Sequence, residues 1–483
     1  MLEKASVYNR REFLKTTAVA VAGLGTYRYT PDSELRRALL LSKRPVPKDR
    51  KFISSAVDNA IDKITKSIRD PKISSLFENC FPNTLDTTVE FKMGNGKPDT
   101  FIITGDINAM WLRDSTAQVL AYLPFVNEDE KLKNMFKGVI NRQTKCILVD
   151  PYANAFNYRP AGSEWDKDLT EMKPELHERK WEIDSLCYPI TLSYKFWKAT
   201  NDTSCFDDDW KKAMKLILKT FKQQQRKNNR GPYKFGRVTS WSTDTVPGDG
   251  YGNPVKPIGL IVSIFRPSDD ATIFPFLIPS NLFAVTALNN LAEIFKIVFT
   301  GDEFAAECLI LSDEIQKAVN EYGIIDHMDY GRIYAYEVDG FGNRLFMDDA
   351  NVPSLLSLPY LDCCSIEDSV YQNTRTFLFS GNNPYFFKGK AAEGIGSPHT
   401  LINKIWPVSI IMRALTSNND DEIIQCLKSL KLTDADRGFM HESFDKDNPD
   451  DFTRKWFAWA NSLFGTLILK LYKQRPELLK EKI

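Results

Sequence analysis

Apolar residues recur every three or four positions along most of the chain after residue 50, which is the spacing of one face of an α-helix. In the first such stretch Phe52, Val57, Ile61 and Ile64 fall on the same face. The same spacing predicts further helices, and with 51–68 the full set is 114–124, 130–147, 183–199, 207–225, 280–298, 302–321, 367–379, 402–416, 419–430 and 456–474. Four residues at their starts are predicted N-caps: Asp114, Asp207, Ser280 and Asp302.

Strand patterns are shorter and fewer. DTFIIT at 99–104 and GRIYAYEV at 331–338 are rich in β-formers and predict local hairpins. Strands and helices do not alternate, and no GxGxxG segment occurs, so a dinucleotide-binding fold is not indicated. Helices separated by long loops suit a ring of helical hairpins with functional loops at one end. The pattern predicts one large, mainly α domain.

The N-terminal segment differs from the rest. Residues 1–15 contain Lys4, Arg10, Arg11 and Lys15, and the uncharged stretch TTAVAVAGLGT follows at 16–26. A basic region before a short apolar one is the layout of an export signal, and the Arg pair is similar to the twin-arginine type. A chance pair before an Ala-rich helix is the alternative. We therefore expect a signal at 1–26, a polar tether at 27–49, a catalytic domain at 50–475 and a tail at 476–483.

This organisation predicts an exported protein, periplasmic or associated with the cell envelope. No permanent membrane span is expected, because no apolar run reaches the roughly 18–20 residues that a bilayer requires. Lys plus Arg and Asp plus Glu each number 63, for a formal net charge of zero. Nucleic acid is therefore not an expected partner, since binding it favours a basic face.

Composition narrows the chemistry further. Apolar residues make up 43% and aromatic residues 12%, which excludes a disordered chain. Only four histidines occur, so a multi-histidine metal site is not expected. Eight cysteines are widely spaced without a CxxC pair, which indicates free thiols rather than a disulfide scaffold.

The loops contain the unusual residue combinations. Trp111, Arg113 and Asp114 crowd a loop-to-helix junction, where an aromatic face and charged hydrogen-bonding groups could hold a sugar ring. An N-cap with a structural ion pair is the alternative. Glu182 and Asp184 stand two apart at a helix start, a position that the helix dipole favours for acids whatever their function.

Two further loops add carboxylates. Asp269 and Asp270 are adjacent, so at most one is expected to face a substrate, and either could cap the next segment. Glu442 lies among aromatic and apolar residues, where burial would favour general acid or base chemistry. No GxSxG motif and no Cys–His spacing is present, so a mechanism that uses two carboxyls and no cofactor is the simplest available chemistry.

Taken together, the motifs resemble those of glycoside hydrolase family 125, whose members are exo-α-1,6-mannosidases. The resemblance spans about residues 50–475. It is found in TGDINAMWLRDSTAQ (104–118), DPYANAFN (150–157), EIDSLCYP (182–189), FRPSDDA (265–271), FMDDANVPSLLS (346–357), GIGSPHT (394–400), MHESF (440–444) and WFAWANSLF (456–464).

The resemblance implies an (α/α)6 barrel and release, with inversion, of a terminal α-1,6-linked mannose. It implies no metal and no cofactor, an α-mannoside oligosaccharide as the partner, and a monomer. Asp269 would be the general acid, with Asp270 as second choice, and Glu442 the general base. The implied substrate-binding residues are Trp111, Arg113, Asp114, Asn351, Arg375 and His399.

Other readings of the same residues are a different α-glycosidase on this barrel, a polysaccharide lyase and a non-catalytic glycan-binding protein. A lyase acting on uronates would need a basic cluster, and the loops contain none. A binding protein would retain the aromatic residues and lose one of the two carboxylates.

Overall fold

Helices dominate residues 42–94 and 96–483, which are the part of the chain that this computed structural model describes. In chain order they are α1 Ser55–Thr65, α2 Pro71–Cys80, α3 Asn83–Thr87, α4 Leu112–Leu120, α5 Glu130–Val149, α6 Ile183–Thr200, α7 Asp208–Gln224, α8 Ile278–Val298, α9 Asp302–Ala318, α10 Ser369–Leu378, α11 Pro407–Leu415, α12 Asp420–Leu432 and α13 Ala458–Gln474.

Acidic N-caps begin several of these helices. The carboxylate of Asp70 accepts from two backbone N–H groups of α2, and Pro71 fills the first helical position, where no N–H is needed. Asp129 and Asp207 cap α5 and α7 in the same way. The prediction of Asp207 as a cap is therefore confirmed.

The other three predicted caps are wrong. Helix α4 begins at Leu112 and α8 at Ile278, so Asp114 and Ser280 lie inside the first turn of their helices. In α9 the cap position belongs to Gly301, and Asp302 is the first helical residue. In α4 and α8 the helix already begins at an apolar residue, Leu112 or Ile278, so the boundary lies upstream of the polar side chain.

The helices form a ring of hairpins in two layers, an (α/α)6 barrel. In the inner layer α6 packs between α4 and α8, and α13 packs between α4 and α11. In the outer layer α5 packs on α7, while α9 and α12 pack on the inner helices α8 and α11 that precede them. Helix α2 packs on α13, so the beginning of the domain closes the ring against its end.

The fourth hairpin departs from the regular pattern. Its inner segment, residues 354–361, consists of turns rather than a helix. Asp348 holds this segment, because its two carboxylate oxygens accept from the backbone N–H groups of Leu355 and Leu356 at 2.8 and 3.0 Å. Burial raises the pKa of Asp348 to about 8. Asp348 of the FMDDANVPSLLS motif therefore stabilises the turns at 354–361.

Short antiparallel strands lie in the loops between the helices. The predicted strand at 99–104 is β2, Lys97–Ile102, which pairs with β1, Val89–Gly94. The predicted strand at 331–338 is split into β8, Gly331–Tyr334, and β9, Glu337–Val338, which pair with different partners. The remaining strands are β3 Met110–Trp111, β4 Ala155–Phe156, β5 Leu176–Glu178, β6 Phe276–Leu277, β7 Ile324–His327, β10 Arg344–Leu345, β11 Phe386–Lys388, β12 Glu393–Ile395, β13 Lys404–Ile405 and β14 Phe444–Asp445.

Residues on both sides of the predicted domain, 50–475, contact the barrel. The predicted signal at 1–26 and most of the tether lie outside the described residues, but Arg44 pairs with Asp86 at 2.8 Å, which binds this part of the tether to the barrel. At the other end the backbone N–H of Arg69 donates to the carbonyl of Leu479, within the predicted tail. Among the described helices, none combines the length and the apolar character that crossing a membrane requires.

Candidate active site

A cavity of about 90 Å³ lies where the N-terminal ends of α4, α11 and α13 meet. The first turn of α4 contributes two charged side chains, and Trp406 and Phe457 are the residues that immediately precede α11 and α13. Helix N-termini carry a partial positive charge, which suits a site rich in carboxylates. The lining residues are Thr104, Ile107, Trp111, Arg113, Asp114, Pro267, Ser268, Asp269, Asn351, His399, Trp406, Glu442, Arg454, Phe457 and Trp459.

Most of the residues chosen from the sequence meet in this cavity, although they come from loops far apart in the chain. Asp270 and Arg375 do not line it. Arg375 lies on α10, where its guanidinium donates to Glu422 of α12 at 2.7 Å and stands over the ring of Phe379. The charge and stacking of Arg375 therefore link helices of the outer layer, and its contact with a substrate stays a prediction that this cavity does not support.

The two adjacent aspartates point in different directions. The side chain of Asp269 is 25% exposed and faces the cavity, whereas that of Asp270 is 3% exposed. Asp270 accepts from the hydroxyls of Thr243 and Ser268 at 2.6 and 2.9 Å. Asp269 has a φ of 66°, in the left-handed region that aspartate tolerates better than most residues.

The loop that holds Asp269 is anchored at several points. The backbone N–H of Arg266 donates to the carbonyl of Asp270, and that of Asp269 donates back to Arg266. The guanidinium of Arg266 donates in turn to the buried carboxylate of Glu337 at 2.6 Å. These bonds hold an otherwise costly backbone conformation in place.

Asp269 lies between two cations. Its Oδ1 accepts from Arg113 at 3.3 Å and from the amide of Asn154 at 3.1 Å, while the ammonium of Lys180 donates to its backbone carbonyl at 2.8 Å. Burial opposes ionisation, but the charges of Arg113 and Lys180 outweigh it and hold the pKa of Asp269 well below its usual range. Asp269 is therefore ionised at neutral pH.

Glu442 has polar neighbours, in contrast to the apolar setting that its sequence context suggested. Its Oε2 accepts from the hydroxyl of Thr453 at 2.8 Å, and its Oε1 accepts from Arg454 at 3.2 Å. Phe452, which lies near it in sequence, stacks on His441 instead. The carboxylate is thus oriented by a hydroxyl and a guanidinium.

The guanidinium of Arg113 is bonded to carboxylates of the protein itself. Its NH1 donates to Glu182 at 2.5 Å and to Asp184 at 3.1 Å, and its NH2 donates to Asp269. Glu182 and Asp184 therefore bind this guanidinium, and neither caps α6 through its side chain. Arg113 lines the cavity, but its fork is occupied mainly by carboxylates.

Asp114 and His399 are two further ionisable groups of the wall whose pKa values are shifted. Burial raises the pKa of Asp114 to about 6, and the nearby Arg113 reduces that effect. Burial disfavours the charged form of His399, but Asp270, whose Oδ2 lies 3.6 Å from its Nδ1, outweighs burial and raises the pKa of His399 to about 9. The imidazole is therefore cationic at neutral pH.

The neutral groups of the wall complete the lining. Asn351 donates its amide to Asp349 at 3.0 Å, which fixes the side chain at the cavity. The indole N–H of Trp111 is buried without a hydrogen-bond partner, and its ring lies edge-on against His177. Aromatic rings and hydrogen-bonding groups around a small pocket are suited to a pyranose, which has both C–H faces and hydroxyls.

Sequence reasoning missed Arg454 and Trp406. Arg454 precedes the aromatic run WFAWANSLF, and Trp406 follows the GIGSPHT loop, so both lie beside motifs that drew attention. Arg454 bonds Glu442 through NH1 and Asp106 through NH2, linking the carboxylate to the loop before α4. No local spacing indicates such a link between residues more than 300 positions apart.

A pocket of carboxylates and aromatic rings at one end of an (α/α)6 barrel defines a glycoside hydrolase as the class of protein. Within the part of the chain that the structure covers, no group of three His, Cys, Asp or Glu side chains is placed to hold a metal ion.

Comparison with known proteins identifies the family. Residues 70–469 match the family described as metal-independent alpha-mannosidase (GH125). The chain is 41% identical to the Meiotically up-regulated gene 157 protein of Schizosaccharomyces pombe over 459 residues, which cover 91% of this chain and 90% of that protein. The chain belongs to glycoside hydrolase family 125, the metal-independent α-mannosidases.

Solved structures agree with this assignment. A metal-independent α-mannosidase of Streptococcus pneumoniae, described in a non-productive substrate complex with α-1,6-mannobiose, superposes with a TM-score of 0.85 at 41% identity, over 88% of this chain and all of that one. A bacterial glucoamylase complexed with acarbose has a TM-score of 0.54 at 13% identity over 88% of this chain and 60% of that one, and this likeness concerns the fold alone.

Proposed function

We propose that this α-mannosidase releases the non-reducing terminal mannose of α-1,6-linked mannosides with inversion at the anomeric carbon. Asp269 serves as the general acid and Glu442 as the general base. The observation that carries the proposal is that these two carboxylates, 173 positions apart in sequence by their numbering, line the same small cavity.

The surroundings of each carboxylate support its role. Glu442 is held by Thr453 and Arg454, so that it can deprotonate a water that attacks the anomeric carbon. Asp269 faces the cavity, and Asp270 beside it is enclosed by Thr243 and Ser268. Asp269 is therefore the better placed of the two to protonate the departing glycosidic oxygen.

The substrate class rests on the pocket and on the relative from Streptococcus pneumoniae. A cavity of about 90 Å³ suits the end of a glycan better than its middle. The solved relative, 41% identical over its full length, is described with α-1,6-mannobiose. Asp114, Asn351 and His399 provide hydrogen-bonding groups for hydroxyls of the terminal mannose.

The first test follows the products of α-1,6-mannobiose by NMR. We expect mannose to appear first as the β-anomer, since inversion turns an α-linkage into a β-hemiacetal. First-formed α-mannose would contradict the mechanism. Failure to release mannose from α-1,6-mannobiose and from longer α-1,6-mannosides would reject the proposed function.

Single substitutions assign the roles. Asp269→Asn and Glu442→Gln should each lower kcat/KM for α-1,6-mannobiose by about 10²–10⁴-fold, the usual contribution of a general acid or base. Asp270→Asn should cost less, because its carboxylate contacts Thr243, Ser268 and His399 and does not line the cavity. Asp209→Asn, an exposed carboxylate on α7, is the control and should keep the wild-type rate. A greater loss for Asp270→Asn than for Asp269→Asn would exchange the assignment.

A further inference from the structure

One buried cation, the guanidinium of Arg113, contacts four carboxylates beside the cavity. Arg113 contacts Glu182, Asp184 and Asp269, and its Nε lies 3.5 Å from Asp114. The charge of Lys180 is shared with two other acids, because its ammonium lies 2.7 Å from Asp244 and 3.3 Å from Glu178. Like charges this close and this buried oppose one another's ionisation, which favours a proton held within the cluster.

The two oxygens of Glu182 have different environments. Oε2 accepts from Arg113 at 2.5 Å and from the hydroxyl of Ser185 at 2.8 Å. Oε1 is buried and has no donor. A buried carboxylate oxygen without a donor is costly, whereas a protonated oxygen becomes a donor itself and needs an acceptor. Asp269 lies within hydrogen-bonding reach of Glu182 and provides that acceptor.

The electrostatics of the pair agree with this geometry. Burial, together with the carboxylates of Asp269 and Asp184, raises the pKa of Glu182 well above its usual range, against the opposing charge of Arg113. The pKa of Asp269 moves in the other direction because of Arg113 and Lys180. Asp269 accepts from both Arg113 and Asn154, whereas Oε1 of Glu182 has no donor among the described residues, so the geometry favours Glu182 as the protonated partner.

We propose that Glu182 stores the catalytic proton of this enzyme and passes it to Asp269, which delivers it to the glycosidic oxygen. The proposal rests on the function proposed above. Asp184, which accepts from the same nitrogen of Arg113 at 3.1 Å, is the control residue for this role.

The proton balance closes over one turnover. The proton on Oε1 of Glu182 moves to the carboxylate of Asp269, and Asp269 gives it to the leaving oxygen as the bond to the anomeric carbon breaks. Glu442 removes a proton from the attacking water, whose oxygen bonds the anomeric carbon. Glu442 then releases its proton to solvent, Glu182 takes one up from solvent, and the net reaction is the addition of one water.

The test compares two substrates that differ in their need for a proton. α-1,6-Mannobiose needs its leaving oxygen protonated, whereas α-mannosyl fluoride loses fluoride without protonation and still requires the base. Glu182→Gln keeps the size of the side chain and an oxygen that accepts from Arg113, but it has no proton to transfer. We expect kcat/KM for mannobiose to fall at least about 100-fold and that for the fluoride to change less than about threefold.

Controls separate proton storage from a merely structural role. Asp184→Asn removes the other carboxylate on NH1 of Arg113 and should change both substrates by the same factor. Glu182→Asp retains an ionisable carboxyl and should hydrolyse mannobiose faster than Glu182→Gln. An equal loss on both substrates for Glu182→Gln, no loss on either, or equal mannobiose rates for the Gln and Asp variants would overturn the proposal.

The assignment of Asp269 as the general acid can fail independently of the proposal that Glu182 stores the proton. If Asp269 is the acid, Asp269→Asn shows the same split between mannobiose and the fluoride. Loss of that split in Asp269→Asn rejects the acid assignment itself. Its presence there and its absence in Glu182→Gln rejects only the storage of the proton on Glu182.

Discussion

At the scale of single residues, Asp114 combines an unusual titration with a position in the cavity wall. Its carboxyl is almost fully buried, and the nearest cationic atom, Nε of Arg113, is 3.5 Å away and shared with other acids. Burial raises its pKa to about 6. Only the ionised form accepts hydrogen bonds from sugar hydroxyls at both oxygens, so binding of the substrate should depend on this ionisation.

We therefore expect kcat/KM for α-1,6-mannobiose to decrease as the pH falls through about 6. In Asp114→Asn the overall kcat/KM should be lower, and the part of the acid limb near pH 6 should be absent, because an amide does not titrate. A pH–rate profile of the two proteins measures this. An unchanged limb near pH 6 in the variant would assign it to another group.

The carboxyl of Asp114 also makes the free energy of unfolding depend on pH. Because its pKa is higher in the folded protein than the ordinary value of 3.8, the contribution of Asp114 is fully present below about pH 4 and is lost as the pH rises through about 6. The free energy of unfolding of Asp114→Asn should consequently vary less between pH 4 and pH 6 than that of the wild type.

The residues of the site were predictable one by one but not in their pairings. Trp111, Asp269 and Glu442 stood out because their loops combine aromatic, charged and turn-forming residues. The hydrogen-bond partners of the site residues were not visible in the sequence. Arg113 and Glu182, for example, are 69 positions apart, and no periodicity relates them. Side-chain bonds between distant loops depend on the closed ring, which local patterns do not describe.

At the scale of elements, the N-terminus of α7 is capped by one side chain. Asp207 accepts from the backbone N–H of Trp210 at 2.9 Å and also pairs with Lys97 of β2. Asp207→Ala should lower the free energy of unfolding by about 0.5–2 kcal/mol, and Asp207→Asn should recover most of the loss because asparagine caps well. Urea unfolding followed by circular dichroism measures both.

The neighbouring Asp208 provides the matched control. It lies in the first turn of the same helix, is largely exposed and pairs only with Lys211 one turn along. Asp208→Ala should change the free energy of unfolding by about 0.5 kcal/mol or less. An equal effect for the alanine variants at the two positions would mean that the charge near the helix start, and not the cap bond, stabilises α7.

Eleven helices were predictable from periodicity, and α2 and α3 were not. In α2 the buried face includes Ser75 and Asn79, so the apolar spacing is interrupted. Helix α3 has five residues, which is too short for a period to appear. The turns at 354–361 were not predicted either, because they depend on the buried acid Asp348.

At the scale of the whole molecule, the ring closes through a close approach between α13 and the end of α2. A Cβ at Gly465 would lie 2.5 Å from the ring of Phe81 and 3.3 Å from its Cα. Gly465→Ala should therefore lower the free energy of unfolding by about 1–3 kcal/mol, although alanine alone would favour the helix by up to about 1 kcal/mol.

Gly381 allows a matched comparison. It is exposed, and a Cβ there would meet nothing within 4 Å. Gly381→Ala should leave the urea midpoint close to that of the wild type. If Gly465→Ala were as stable as Gly381→Ala, the two helices would have room to separate, and the contact would not limit closure of the ring.

The closing contacts also set an order of events during synthesis. The hydroxyl of Thr84 bonds that of Ser462, and the amide of Asn461 bonds Asn83, across 378 positions in each case. At translation rates of about 5–20 residues per second, the earlier partner waits roughly 20–75 s for the later one. During that interval the part of α2 that packs on α13 has no native cover, so a nascent chain of this protein exposes that surface until its last helix is made.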